Sequence, residues 1–344
     1  MPDIAPAKIE QRTPQAQLIQ MATAHRVSAL VYIAAEMNLA DRLAEAPRTA
    51  DELAESTGNF APALYRVMRT LAGMGLFTEG SNHRFSLTPL GEALRTGTPG
   101  SIRSSVLTLA GSLFTKPYGE LHYSIKTGKP SFEKVFGMPV FEWLAKHPVE
   151  ASMFSETMVG FHAAEPAAVA NAYDFSQAET VVDIGGATGN LLAEILSHFC
   201  EPRGILFDLP HVVADAPALI RARGLTDRIA IESGSFFKRI PEASGVYLLS
   251  HIIHDWSEAQ CLTILGICRR TINPNSRLLI IEAVLPTGNT PHPGKMRDIT
   301  MLVVAGGQER TEPEYRELLE KAGFRLTQVV PTDSAVSIVE AVPA

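Results

Sequence analysis

Cysteine is scarce in this sequence: three in 344 residues, Cys200, Cys261 and Cys268. Their spacing forms neither a zinc ligand set nor a disulfide framework, and it fits a reduced, cytoplasmic chain with buried thiols. Positive charge is also short. Thirty Lys and Arg face 37 Asp and Glu, a net charge of −7, which argues against a large nucleic-acid footprint. No run approaches the ~20 unbroken apolar residues of a membrane span. The opening MPDIAPAKIEQRTPQ has no apolar segment of the kind a secretory signal needs. What is present is an ordinary folded composition, 46% hydrophobic and 19% charged, in a chain long enough that two domains are the natural expectation.

Residues 1–14 are polar and proline-containing, and are expected to form a loose arm. Gln15–Glu45 reads as one long helical stretch, with Ala, Val, Leu and Ile recurring every three or four residues. Thr49 and Gly58 bracket a short helix, Ala61–Met74 is a second helix ended by Gly75, and Leu76–Glu79 and Arg84–Leu87 alternate like two strands around Gly80-Ser81-Asn82. Two helices and a small hairpin make a winged helix. Its second helix carries only Arg66 and Arg69, so a structural or dimerisation role is expected rather than DNA binding. Ser101–Val159 is helical and rich in Phe, Met and Leu, mostly core, with a subset available to line an aromatic pocket. A boundary is expected near 160–178, giving domains at 15–165 and 166–344.

From Thr180 onward strands and helices alternate, which predicts right-handed βαβ units and a parallel sheet. The expected strands are Thr180–Ile184, Gly204–Leu209, Arg228–Ser233, Gly245–His251, Arg277–Val284, Phe324–Thr332 and Ala335–Val342. Only Asp333-Ser334 separates the core of the last two, too little for a helical crossover. They must form a hairpin, so the sheet has seven strands with the last one antiparallel.

Several stretches in this part carry chemistry. Asp183-Ile184-Gly185-Gly186-Ala187-Thr188-Gly189 turns a buried strand into a helix, the place where an α/β sheet receives a nucleotide-like ligand. Ala187 and Asn190 stand where a dinucleotide fingerprint wants glycine. Asp208, in Phe207-Asp208-Leu209-Pro210, ends the next strand at the distance suited to ribose hydroxyls. Gly234-Ser235-Phe236-Phe237 closes the third strand and offers Phe236 for stacking on a base.

His254, in Ser250-His251-Ile252-Ile253-His254-Asp255-Trp256, follows the fourth strand, and an imidazole titrating near pH 6.5 suits a general base. His251, His254 and Asp255 lack the fixed pitch of helix-borne ligands, so no metal is expected. His251 is expected to be structural. Glu282 ends an otherwise apolar strand, where a carboxylate is costly unless paired, and a neighbouring imidazole is the expected partner. Gly306–Thr311 is a glycine turn delivering Glu309 just before a helix capped by Thr311 and Glu314.

In this order, DIGGATG, FDLP, HDW, IEAVLP and GGQERT closely resemble the caffeate/isoflavone-type S-adenosylmethionine-dependent O-methyltransferases and their bacterial relatives acting on phenols and polyketides. The acidic-x-Gly-x-(Gly or Ala)-x-Gly run of Asp183, Gly185, Ala187 and Gly189 is similar to the first motif of such enzymes. The resemblance covers the chain from about residue 20 onward. It implies a Rossmann-like methyltransferase sheet, a mostly helical winged-helix dimerisation domain, a homodimer with interlocked N-terminal domains, and metal-free transfer of a methyl group from S-adenosylmethionine to a hydroxyl of a small aromatic acceptor. Neither nucleic acid nor membrane is an expected partner.

Residue by residue, it implies His254 as the base, with Glu282 and Glu309 orienting it. Asp183, Gly185, Gly186, Gly189, Asp208, Leu209, Ser235, Phe236 and Ser250 match the cofactor contacts. Phe154, Met158, Asp255 and Met301 match the acceptor pocket. Ser235 and Ser250 stand where plant members usually carry Asp and Lys, which turns the expectation away from a plant phenylpropanoid acceptor.

Overall fold

The structure is a computed structural model and describes residues 13–344; the expected arm lies almost wholly outside them. The contacts divide the chain into two compact units, one reaching to residue 115 and including 148–160, the other made of 116–147 and 161–344. The division is therefore not a single cut at 165. Segment 116–147 belongs with the C-terminal part because Tyr118 pairs its hydroxyl with Thr300 at 2.6 Å, and Ser131, buried, donates to the carbonyls of Pro117 and Val303.

In the first unit the expected long helix is three helices, Pro14–Ala22, His25–Glu36 and Leu39–Glu45. The Thr23 hydroxyl takes the Ile19 carbonyl at 2.8 Å, the kind of local bond that competes with helix continuation. Asn38, at φ 52°, turns the chain through the left-handed region, which Asn tolerates better than most residues. Taken across the Thr23-Ala24 turn, Pro14–Glu36 is long and apolar enough by composition to cross a bilayer, which the sequence reading did not anticipate. Leu18, Ile19 and Met21 on it are exposed within this unit.

The winged-helix pattern is present as read. Thr49 and Glu52 form a reciprocal capping box, Gly58 closes that helix at φ 68°, and the second helix is Ala61–Gly73. A hairpin follows, pairing Phe77–Glu79 with Phe85–Leu87. Leu53, Met68, Leu71, Phe77 and Phe85 bury almost completely in one cluster, each such side chain contributing ~1.5–3 kcal/mol.

The second unit is built on seven strands: β1 Thr180–Ile184, β2 Arg203–Asp208, β3 Ile229–Ser233, β4 Gly245–Ser250, β5 Arg277–Glu282, β6 Phe324–Pro331 and β7 Ser337–Pro343. Their order is β6-β7-β5-β4-β1-β2-β3. β7 runs antiparallel to both neighbours, and the pairs among β1 to β5 are parallel. Val181 and Val182, Leu248 and Leu249, and Leu278 to Ile280 are fully buried on both sheet faces, as expected of parallel strands covered by helices. The chain builds outward from β1 through β2 to β3, then returns to lay β4 on the other side of β1. The crevice at the carboxyl ends of β1 and β4 is thus a topological switch point, where open α/β sheets bind ligands.

β5 stops at Glu282, short of the expected Val284. Val284–Leu285 instead forms a separate two-stranded parallel pair with Arg310–Thr311. This pair ties the end of β5 to the segment that follows Glu309. Of the three cysteines, Cys261 and Cys268 are buried and Cys200 is exposed, all unpaired; the expectation of three buried thiols fails at Cys200, which sits in the loop between the helix Asn190–His198 and β2.

Candidate active site

The glycine turn after β1 meets the His251–Asp255 segment after β4 directly. A Cβ on Gly185, whose φ is +73°, would stand 2.4 Å from Cδ1 of Ile252 and 3.5 Å from the Phe236 ring. A side chain at that position would be both strained and obstructed. Asp208, at the end of β2, accepts from the Leu209 N–H at 2.6 Å and the Ala187 N–H at 3.0 Å. A carboxylate has about four acceptor sites, so two remain for further donors.

Asp183 lies buried behind the turn, its oxygens without a hydrogen bond of good geometry. Burial, and then the Asp208 carboxylate, push it up to about 7, while the Leu192 amide acts in the opposite sense. Asp183 is thus a buried carboxyl without a side-chain hydrogen-bond partner beside the glycine turn, and such a group calls for an explanation. Phe236 sits edge-on to Trp256 at 6.1 Å and against Phe237 at 5.0 Å. Ser235 and Ser250 occupy the ends beyond β3 and on β4.

His254 sits in a single 3-10 turn, Ile253–Asp255, and is 5% exposed. Its Nδ1 is 3.0 Å from Oε1 of Glu309. A carboxylate only accepts, so Nδ1 carries the proton and Nε2 is the nitrogen left for chemistry. The nearest carboxylate to Nε2, Asp255 Oδ1, is 3.7 Å away, too far for a hydrogen bond. Burial works against a charge on His254. Asp255, the Glu309 hydrogen bond and the Glu282 charge outweigh it and push the imidazole up to about 9. Burial, with Glu282 and Glu309 adding to it and His254 opposing, lifts Asp255 to about 6.

Glu282 is fully buried, and burial raises its carboxyl. Its partners correct the sequence expectation. It does not take the imidazole. Oε1 accepts the backbone N–H of His254 at 3.0 Å and Oε2 accepts the Tyr315 hydroxyl. The 3-10 turn leaves that N–H without an intrahelical acceptor, and Glu282 ends the strand directly beneath it. Glu282 thus fixes the backbone of His254, and Glu309 fixes its ring.

Glu309 is itself held. Arg297 Nε pairs with the same Oε1 at 2.9 Å, and Asp298 accepts the Glu309 N–H at 2.9 Å. Burial opposes its ionisation, but the His254 hydrogen bond and charge, with Arg297, keep Glu309 below the usual carboxylate range. The turn that delivers it leaves no space: a Cβ on Gly307 would lie 1.9 Å from the His254 carbonyl oxygen. Arg297, Asp298 and Tyr315 escaped the sequence reading, whereas Gly307 was read there only as part of the glycine turn. Tyr315 looks like any core residue of an amphipathic helix, and Arg297 like a solvated one.

The expected acceptor-pocket residues fall in both units. Phe154 and Met158 lie on the helix Pro148–Phe161 in the part assigned to the first unit, and Asp255 and Met301 lie in the second. Met301 opens a π-helical turn, Met301–Ala305, that runs into Gly306; such turns recur at functional sites. A second histidine joins the cluster. His251, at φ 54°, binds Oε2 of Glu165 through Nε2 at 2.7 Å, and its ring is centred 5.2 Å from that of His254.

Against known proteins, residues 118–325 match the O-methyltransferase domain and residues 19–97 the O-methyltransferase dimerisation domain. The chain belongs to the O-methyltransferase family. This methyltransferase is 43% identical to the phenazine O-methyltransferase PhzM of Lysobacter antibioticus, over 95% of each chain. It is 39% identical to the 3-amino-4-hydroxybenzoate 4-O-methyltransferase of Streptomyces cremeus, over 91% of this chain and 86% of that one. The structure of the neocarzinostatin-biosynthesis O-methyltransferase NcsB1, solved with S-adenosylmethionine and 2-hydroxy-5-methyl naphthoic acid, superposes at a TM-score of 0.82. The identity there is 32%, over 92% and 96% of the two chains. The methyltransferase is an S-adenosylmethionine-dependent enzyme, and its N-terminal unit carries the dimerisation domain of the family.

Proposed function

We propose that this enzyme methylates a hydroxyl group of a small aromatic acceptor, using His254 as the general base. The observation that carries the reading is the placement of His254. It is buried at the switch point of the sheet, two residues past the Ile252–Gly185 contact, with Nδ1 held by Glu309 and Nε2 facing no hydrogen-bond partner among the described residues. Relatives whose names specify phenazine, aminohydroxybenzoate or naphthoate acceptors support an aromatic substrate.

When bound, S-adenosylmethionine supplies an electrophilic methyl group on a sulfonium. The protein's part is to position the acceptor oxygen and take its proton. A phenol has a pKa near 10. An imidazole at about 9 takes that proton against roughly one unit, ~1.4 kcal/mol. An unperturbed imidazole would face about 3.5 units, ~5 kcal/mol. The carboxylates around His254 thus stabilise the imidazolium formed as the oxygen attacks. Proton removal contributes ~10²–10⁴-fold, with positioning adding to it.

For the cofactor we propose Gly185, Gly186 and Gly189 as the close backbone approach, Asp183 behind them toward the amino-acid tail, Asp208 with Leu209 for the ribose, and Ser235, Phe236 and Ser250 around the adenine. Phe154, Met158, Asp255 and Met301 are proposed for the acceptor. A cytoplasmic location is proposed from the three unpaired thiols.

The test is incubation with S-adenosylmethionine and a panel of phenols, following methylated product by mass spectrometry and S-adenosylhomocysteine release. Methylation of at least one phenol, lost in His254→Ala that still binds the cofactor, is expected. Cofactor binding with no transfer to any phenol overturns the reading.

A further inference from the structure

His251 is too well held and too incompletely satisfied for a core residue. Its Nε2 lies 2.7 Å from Oε2 of Glu165, and that oxygen also takes His162 Nδ1 at 2.8 Å. The carboxylate can only accept, so Nε2 of His251 carries the proton and Nδ1 presents a lone pair. That Nδ1 is buried and has no partner among the described residues. Buried polar atoms without a partner are rare, and each calls for an explanation.

The ring is oriented by more than one constraint. The His162 ring lies 3.8 Å away, tilted by 37°. The backbone of His251 sits at φ 54°, a conformation non-glycine residues adopt at a cost and retain mainly at functional sites. Its N–H donates to Ile281 at 3.1 Å. On the other side stands His254, ring centre 5.2 Å away.

We propose that His251, held by Glu165, is a specificity-determining residue whose Nδ1 accepts a hydrogen bond from an O–H or N–H group on the acceptor, at the ring position next to the hydroxyl being methylated. The proposal rests on the reading of His254 as the base for a hydroxyl acceptor. It adds a chemical class: catechols, ortho-aminophenols and their fused-ring equivalents, in preference to lone phenols or ring ethers. The two imidazole centres lie 5.2 Å apart, a span that a hydroxyl and the substituent on the adjacent ring carbon of one acceptor can bridge. Burial pushes the His251 imidazole down to about 4 against the pull of Glu165, so it stays neutral, and an acceptor of hydrogen bonds, at physiological pH.

Two measurements test this. Binding of catechol and 2-aminophenol, against phenol and 2-methoxyphenol, is measured calorimetrically with S-adenosylhomocysteine present. The donor-bearing pair is expected to bind roughly tenfold more tightly, and His251→Phe is expected to bring the ratio near one. Equal binding of the two pairs, including no detectable binding of either, overturns the proposal. This assay needs no methyl transfer, so an enzyme that selects catechols without methylating them would sink the base assignment and leave His251 standing.

The second measurement is the imidazole ¹⁵N spectrum of the intact wild-type protein, which reads the tautomer whether or not variants fold. A proton on Nε2 of His251 is expected, moving to a mixture in Glu165→Gln, whose amide can donate as well as accept. His162, Glu165 and His251 also place one ligand atom each within 4.8 Å of one another. A divalent ion held there would occupy Nε2 and leave the proton on Nδ1. Finding Nδ1–H, before or after chelator treatment, overturns the proposal.

Discussion

At the scale of single residues, the charge on His254 decides how activity responds to pH. Burial is opposed by Asp255, Glu309 and Glu282, and the imidazole is held at about 9, so the free protein at neutral pH carries imidazolium. Only the neutral form accepts a proton. The fraction in that form grows tenfold per pH unit below the pKa, so kcat/KM for the acceptor should climb from pH 6 and level off only above about pH 9. A profile that is flat from pH 6 to 10 would remove His254 from the proton step. Glu309→Gln removes a carboxylate charge 3.0 Å from Nδ1, and the inflection is expected to move to lower pH. His254→Ala should lower turnover by at least ~100-fold with cofactor affinity retained, read by calorimetry; near-wild-type turnover on an unactivated phenol contradicts the assignment.

Elements matter here through what they hold in place. The Gly306-Gly307 turn lies so close to the His254 carbonyl that a methyl group at Gly307 would sit 1.9 Å from it. Gly307→Ala therefore forces the turn or the His254 segment to move. A loss of ~1–3 kcal/mol in denaturant unfolding is expected, together with lower turnover, because Glu309 rides on the same turn. The helix Glu312–Lys321 has a comparable task. It carries Tyr315, whose hydroxyl donates to Glu282 in the core. Tyr315→Phe keeps the packing and removes the donor, and should cost ~1–3 kcal/mol of stability. Unchanged stability in that variant would mean that Glu282 finds another donor or stays protonated.

For the whole molecule, the outstanding physical feature is apolar surface near the start of the first unit. Ile19 is 65% exposed and Met21 73% exposed, on a segment apolar enough by composition to cross a bilayer. The dimerisation domain matched at residues 19–97 supplies the other explanation: a second copy of the chain covers this face. Light scattering should give twice 37.2 kDa, and Ile19→Glu with Met21→Glu should shift the mass toward the monomer. A monomeric wild-type protein at micromolar concentration counts against this account.

Local pattern was enough for much of this protein. Alternating apolar runs and glycine or Ser/Thr punctuation marked the strands, the caps at Thr49 and Thr311, and the antiparallel end of the sheet, because periodicity and capping act between residues a few positions apart. The same logic put Gly185, Asp208, His254 and Glu282 at strand ends, where α/β folds keep their chemistry, and Glu309 on a glycine turn before a helix. Where the chain would break within Gln15–Glu45, and where segment 116–147 would pack, depended on single side chains and distant partners. So did the roles inside the cluster. Glu282 took the backbone of His254 and not its ring, Arg297 and Tyr315 came to the carboxylates from helices with no motif, and Glu165 reached His251 across 86 residues of sequence. Such pairings are set by how the crossovers wrap the sheet and by which buried groups must find a partner, and neither is written in the spacing of neighbours.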